Sequence, residues 1–173
     1  MFAVHRLQRR CALVLALSLA ALSPAHALGL SAPQGRVILT IGGKIGESNR
    51  GQQAVFDMDM LRALPQHSFT TNTPWYSRPV KFTGPLLRDV LKAVQAQGTK
   101  IRATAINDYT IRIPVSDAYE HSVIVARMID DQEVPVRHKG PLFVVYPFDD
   151  KAELRTSVYT ARSIWQLRHM IIE

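Results

Sequence analysis

Apolar residues recur along the chain with two periods, and the segments they mark alternate between strands and short helices. VILTI, Val37 to Ile41, is an apolar run stopped by Gly42-Gly43 and predicts a first strand. Before it, residues 28–35 read as a loose leader with Pro33 and Gly35, and after it comes a polar loop with Gly46 and Gly51. FDMDMLRALP predicts a short helix with Asp57 as N-cap and Pro65 as terminator. HSFTTNT, rich in Thr and Phe, reads as a strand. GPLLRDVLKAVQAQG gives the clearest helical pattern. Leu86, Leu87, Val90, Leu91 and Val94 form one apolar stripe, Pro85 suits the first helical position, and Gly98 suits the C-cap.

Beyond that helix the pattern is mostly β. KIRATAIN and YTIRIPV predict two strands around the turn pair Asn107-Asp108. SVIVARMI predicts another, followed by a turn at Asp130-Asp131. PLFVVYPF, Pro141 to Phe148, is a continuous apolar run of the kind found in a buried central strand. SIWQLRHMIIE predicts a turn and a last strand. No internal repeat or low-complexity segment breaks the series. The expected fold class is α+β: one domain over residues 28–173, with a mixed, mostly β core and two short helices packed on it.

The first 27 residues stand apart. Arg6, Arg9 and Arg10 precede the apolar run CALVLALSLAAL, which is short for a membrane span, and Ala25-His26-Ala27 is an A-x-A cleavage triplet. This predicts an export signal cleaved after Ala27, with a mature chain that is soluble in the periplasm and not inserted in the membrane. An uncleaved anchor is the alternative. Arg9-Arg10 leaves the Sec and twin-arginine routes both open.

Removal of the signal changes the composition. The whole chain carries a net charge of +7, but without Arg6, Arg9 and Arg10 it keeps 18 basic residues against 14 acidic ones, a net of +4. The basic residues are scattered, which argues against a nucleic-acid partner. The one cysteine, Cys11, lies in the signal, so the mature chain is expected to lack disulfides, thiolate nucleophiles and thiolate metal ligands. G-x-S-x-G, P-loop and H-E-x-x-H motifs are missing, and His67, His121, His138 and His169 have no metal-ligand spacing.

The candidate chemistry lies in loops. Trp75-Tyr76, between Pro74 and Pro79, forms a stiff aromatic segment that suits either stacking on a flat ring or plugging the core. Asn107-Asp108-Tyr109 offers ligand contacts or simply a turn. Arg137, His138 and Lys139 offer an anion site or a solvated loop. Trp165 reads as structural.

Four segments, taken in order, resemble the molybdopterin-binding domain of the sulfite oxidase superfamily. KFTGPLLRDVL resembles its W-x-G-x-P-L-x-x-L-L helix entry, and NDYTIRIPVSDA its G-Y-x-x-x-(I/L)-P segment. SVIVARMIDDQEVPVRHKGPLFVVYP resembles the strand, turn and H-G-x-P-x-R-x-x-x-P run, and SIWQL resembles S-x-K-W. The departures matter as much. Alignment on Trp75 puts the molybdenum-binding Cys of the enzymes near Thr71, which has no thiolate. The basic residue of the P-x-R run is replaced by Phe143 or Val144, and the Lys of S-x-K-W is replaced or shifted.

The resemblance is nearest to a cysteine-free subgroup of exported pterin-binding proteins. It implies a sensory protein, not an enzyme, whose partner is the periplasmic part of an inner-membrane enzyme that makes or degrades cyclic di-GMP. A molybdopterin-dependent oxidoreductase is the alternative. The implied ligand is a pterin or molybdopterin-like molecule, with no molybdenum expected. On this reading Asp108 accepts from the amino-pyrimidine edge with Asn107 beside it, a charge-assisted arrangement. Trp75, Tyr76 or Tyr109 faces the ring. Thr70, Thr71 and Asn72 border the former metal position, and Arg137, His138 and Lys139 meet any phosphate.

Overall fold

The computed structural model describes residues 29–173. The expected signal and its cleavage after Ala27 lie outside the described residues. The fold is α+β, with mostly strands and few short helices. Its largest layer is a five-stranded sheet in the order β2-β1-β11-β5-β6, built from Ala54–Phe56, Leu39–Gly43, Leu167–Ile172, Lys100–Ala105 and Thr110–Pro114. Within it β1 and β11 are parallel and the other neighbours antiparallel, with Thr40 opposite His169 and Met170 opposite Ala103. A four-stranded sheet, β3-β4-β8-β9, joins Gln66–Thr71, Val80–Pro85, Met128–Ile129 and Gln132–Glu133. A two-stranded pair, Ile124–Ala126 (β7) with Phe143–Val145 (β10), completes the strand set.

These layers enclose one apolar core. Leu39, Ile41, Phe56, Phe82, Leu91, Ile101, Ile113, Phe143, Leu167 and Met170 are all buried within it. Alternate positions of β5 and all three positions of β2, β7 and β10 supply this core, joined by the stripe Leu87, Val90 and Leu91 of helix α2 (Leu87–Ala93). Among the described residues, no helix is long and apolar enough to cross a membrane.

Helix α1, Met58–Ala63, starts where its cap predicts. Asp57 Oδ1 accepts from Met60 N at 2.9 Å, while Oδ2 accepts from Gln34 N and Gly35 N, both at 2.8 Å. One buried carboxylate therefore ends the leader and begins the helix. The N–H of Met60, then that of Gly35, hold its pKa below the ordinary 3.8, although burial opposes them. Because the folded-state value lies below the unfolded one, the stabilisation is present above the ordinary value. It is lost as pH falls through the folded-state value. Asp57→Ala removes a cap and two further acceptors, and should cost about 2–3 kcal/mol at pH 7. Urea melts at pH 7 and below pH 3 check this: the deficit should shrink in acid.

The structure corrects several expected boundaries. Helix α2 does not begin at Pro85, which closes β4 opposite Gln66; Leu86 is extended and bridges Ile124, and Leu87 N donates to Val123 O at 2.8 Å. The sheet captures the first residues of the helical pattern. The helix ends at Val94, where Gln95 turns the chain with φ +48, and Gly98 instead abuts the Glu173 carbonyl. SVIVARMI is two strands, not one: it breaks at Arg127, whose N–H donates to Thr83 O, and serves two sheets. The apolar run from Pro141 is strand only over Phe143–Val145 and pairs with β7 alone. It is buried by neighbouring layers and is not central; the central strand is β11. Two further short helices also form, α3 (Asp117–Glu120) and α4 (Ser157–Arg162).

Candidate functional site

A cavity of about 320 Å³ opens between the β5–β6 turn, the loop after β3, and α4 with the segment that follows it. Trp75, Ala105, Asn107, Tyr109, Ile164 and Trp165 line it, with Thr160, Ala161 and Ser163. Small-molecule sites run from about 300 to 1,000 Å³, so the cavity suits a compact ligand.

Its aromatic floor is built from the core outward. Phe143 on β10 is buried, and Trp75 meets it edge-on at 5.3 Å between ring centroids. Trp75 also meets Trp165 at 5.6 Å and Phe148 at 6.1 Å, both edge to face. Trp165 is fixed because its backbone bridges Phe143. The half-buried Trp75 thus packs on the core and also lines the cavity. The two readings of this residue describe two sides of one indole. Such edge-to-face arrangements suit the aromatic quadrupole.

The polar anchors are few. Asn107 Oδ1 accepts from Tyr109 N at 3.2 Å, which leaves the amide nitrogen able to donate to a ligand. Ser163 Oγ donates to Tyr159 O at 3.0 Å and keeps its lone pairs. No lining residue carries a charge.

Of the residues expected at the site, Trp75, Asn107 and Tyr109 line the cavity. Asp108 sits between two lining residues yet points away. Its backbone is left-handed at φ +65, its side chain is exposed, and Oδ1 accepts from Arg168 Nη2 at 3.4 Å. The Asn107 amide, not the Asp108 carboxylate, faces the cavity. Thr71 and Asn72 form a brace. Asp149 Oδ2 accepts from Asn72 N at 2.7 Å and from Asn72 Nδ2 at 3.0 Å, and Asp149 N donates to Thr71 Oγ1 at 3.0 Å. These hydrogen bonds, the Asn72 N–H first, hold the Asp149 carboxyl below the usual range. The brace anchors the loop that carries Trp75. Thr70 lies on β3 and is exposed.

Tyr76 packs edge-on against Phe82 at 6.3 Å, and its burial raises the phenol pKa. Lys139 Nζ lies 5.2 Å from the Tyr76 ring centre and 5.7 Å from that of Trp165. It braces two aromatics by cation–π attraction from outside the cavity lining. Arg137 and His138, in the 3-10 turn Val136–His138, are exposed and do not line the cavity.

The pattern of the sequence missed α4, whose residues form one wall. SVYTAR contains no buried residue and no apolar stripe, so periodicity cannot find it. Trp165, which the sequence suggests is structural, both packs and lines the cavity; its place in SIWQL, the segment that resembles S-x-K-W, is the signal for it.

Among the described residues, no group of three or more His, Cys, Asp or Glu is placed to hold a metal ion. A comparison with the curated proteins finds no match. The family model described as "Oxidoreductase molybdopterin binding domain" matches residues 39–149, a span that holds Trp75, Phe143, Phe148 and the β5–β6 turn but ends before α4 and Trp165. This chain belongs to the oxidoreductase molybdopterin-binding domain family, of the sulfite oxidase type.

Proposed function

We propose that the chain is a pterin-binding sensory protein of the periplasm rather than a metal enzyme. The observation that carries this reading is the composition of the cavity wall. Domains of this family bind molybdopterin, which joins a flat pterin bicycle to a phosphate and a pair of metal-binding sulfurs. The bicycle fits the wall. Trp75, Tyr109 and Trp165 offer aromatic surface, the Asn107 amide nitrogen can donate to the pterin carbonyl, and Ser163 Oγ can accept from its amino edge.

The other two parts find no match among the same residues. The wall has no cation for a phosphate and no thiolate for a metal, and Thr71 Oγ1 is engaged by Asp149 N. A neutral, phosphate-free pterin is therefore the favoured ligand.

In the sensory role, bound pterin alters the affinity of this protein for the periplasmic part of an inner-membrane enzyme of cyclic di-GMP metabolism. A ligand shifts such an equilibrium only by binding one state better, and the coupling is reciprocal. Native mass spectrometry of the exported chain should show one pterin per protein, released as a blue-fluorescent species. Saturating pterin should change partner affinity, and the partner should change pterin affinity by the same factor. Stoichiometric molybdenum together with sulfite or sulfoxide turnover would instead establish the oxidoreductase reading.

A further inference from the structure

Behind the cavity wall lies a buried polar cluster that the ligand reading leaves unused. Asp117, the first residue of α3, is buried, and its Oδ2 accepts from Tyr146 Oη at 2.6 Å and from Arg162 Nη1 at 2.9 Å. Tyr146 is fully buried, and burial, then the Asp117 carboxylate, drives its phenol pKa far up, so it stays a donor. Arg162 ends α4, and its guanidinium lies 5.2 Å from the Tyr159 ring centre. Tyr159 meets His121 edge-on at 5.4 Å and Tyr146 at 5.2 Å. Lys151 Nζ stands 3.5 Å from His121 Nδ1 on the far side.

This cluster and the cavity share one helix. Tyr159 and Arg162 face the cluster, whereas Thr160, Ala161 and Ser163 face the cavity. Helix α4 has six residues and buries none of them. Helices this short are not stable alone and depend on tertiary contacts. The chain is pinned on either side of it, by buried Leu154 before and by Ile164 after, whose carbonyl accepts from Val144 N at 2.9 Å. Between those pins the strongest tie is the ion pair of Arg162 with Asp117, shielded from water and therefore little screened.

We infer that Asp117, Tyr146 and Arg162 are positioning residues that latch α4 as a separately releasable wall of the cavity. The inference rests on the proposed use of that cavity as the ligand site. Release of the latch opens the wall without unfolding the sheets, because α4 contributes no buried residue to their core. The latch therefore governs how fast a ligand leaves. An element of this kind belongs to the low-stability end of the molecule, where local opening precedes global unfolding.

Hydrogen exchange on the exported chain tests the latch directly. In Arg162→Met, amides of residues 157–163 should exchange about tenfold faster, while those of β5 and β11 keep their rates. The probe 6-hydroxymethylpterin should then leave about tenfold faster, mostly through its dissociation rate. Arg162→Lys, which keeps the charge, should recover most of both effects. If Arg162→Met does not accumulate as folded protein, Tyr146→Phe carries the comparison. It keeps the ring, loses only the hydrogen bond, and should give about a threefold change.

Exchange that is unchanged, or that rises equally in α4 and the sheets, overturns the latch. Selective release of α4 with an unaltered probe dissociation rate overturns its role at the site. If the wild-type chain does not bind the probe, the pterin reading fails, while the exchange comparison still decides the latch.

Discussion

Gly140→Ala is expected to destabilise the protein by about 3 kcal/mol or more, the upper end for an overpacked site. An added Cβ would overlap the Val134 carbonyl oxygen and lie 2.9 Å from that of Pro135. The Pro135 oxygen cannot retreat easily. Pro135 O accepts from His138 N at 2.8 Å and from Gly140 N at 3.0 Å, and these bonds define the turn. The turn also carries Lys139, which sits over Tyr76 and Trp165. The substitution should therefore loosen the aromatic floor as well as the backbone. For a domain of this size the expected fall in melting temperature is about 6–12 °C. A melting temperature within a degree or two of wild type would show that the turn relaxes freely.

Trp75→Ala should weaken both the fold and the site. Three edge-to-face contacts disappear, those with Phe143, Phe148 and Trp165. A fully buried Trp costs about 3–5 kcal/mol when truncated; a half-buried one should cost about 2–4 kcal/mol. Loss of the ring from the cavity wall should remove a further 1–2 kcal/mol of ligand binding, about 5- to 30-fold in affinity for a pterin. Trp75→Phe separates the two effects, because the smaller ring keeps most of the core contact and less of the cavity wall. Thermal melts and calorimetric titration on both variants measure the division. Wild-type affinity in both variants would locate the contribution of Trp75 in the core alone.

The elements that could be read from the sequence are those governed by local chemistry. Asp57 caps α1 where the polar residue precedes the apolar run, and Asn107-Asp108 turns between β5 and β6 as their side chains favour. The family was legible because its segments keep their order. What was not legible depends on long-range partners. Pro85 looked like a helix start until β3 claimed it as a strand partner. Arg127 splits an apolar run because Thr83 accepts from its N–H. Asp108 looked like the better ligand group because a carboxylate matches two donors, but its left-handed backbone turns it toward Arg168. Thr71 and Asn72 align beside the former metal position, but the partner that holds them, Asp149, lies far along the chain. The Asp117–Arg162 pair has no local signature at all.

The position of β11 has a kinetic consequence. The strand lies between β1 and β5, so among the described residues 167–172 alone join those two in the larger sheet. Until they dock, β1 and β2 can pair with each other, and β5 with β6, but the two hairpins remain apart with apolar edges exposed. The pairing of Thr40 with His169 closes a loop that spans most of the chain, and such closure is slow because its entropy is spent before contacts form. In a chain emerging in order, the larger sheet would therefore stay split until β11 is free, and its two halves would need protection from self-association during that interval.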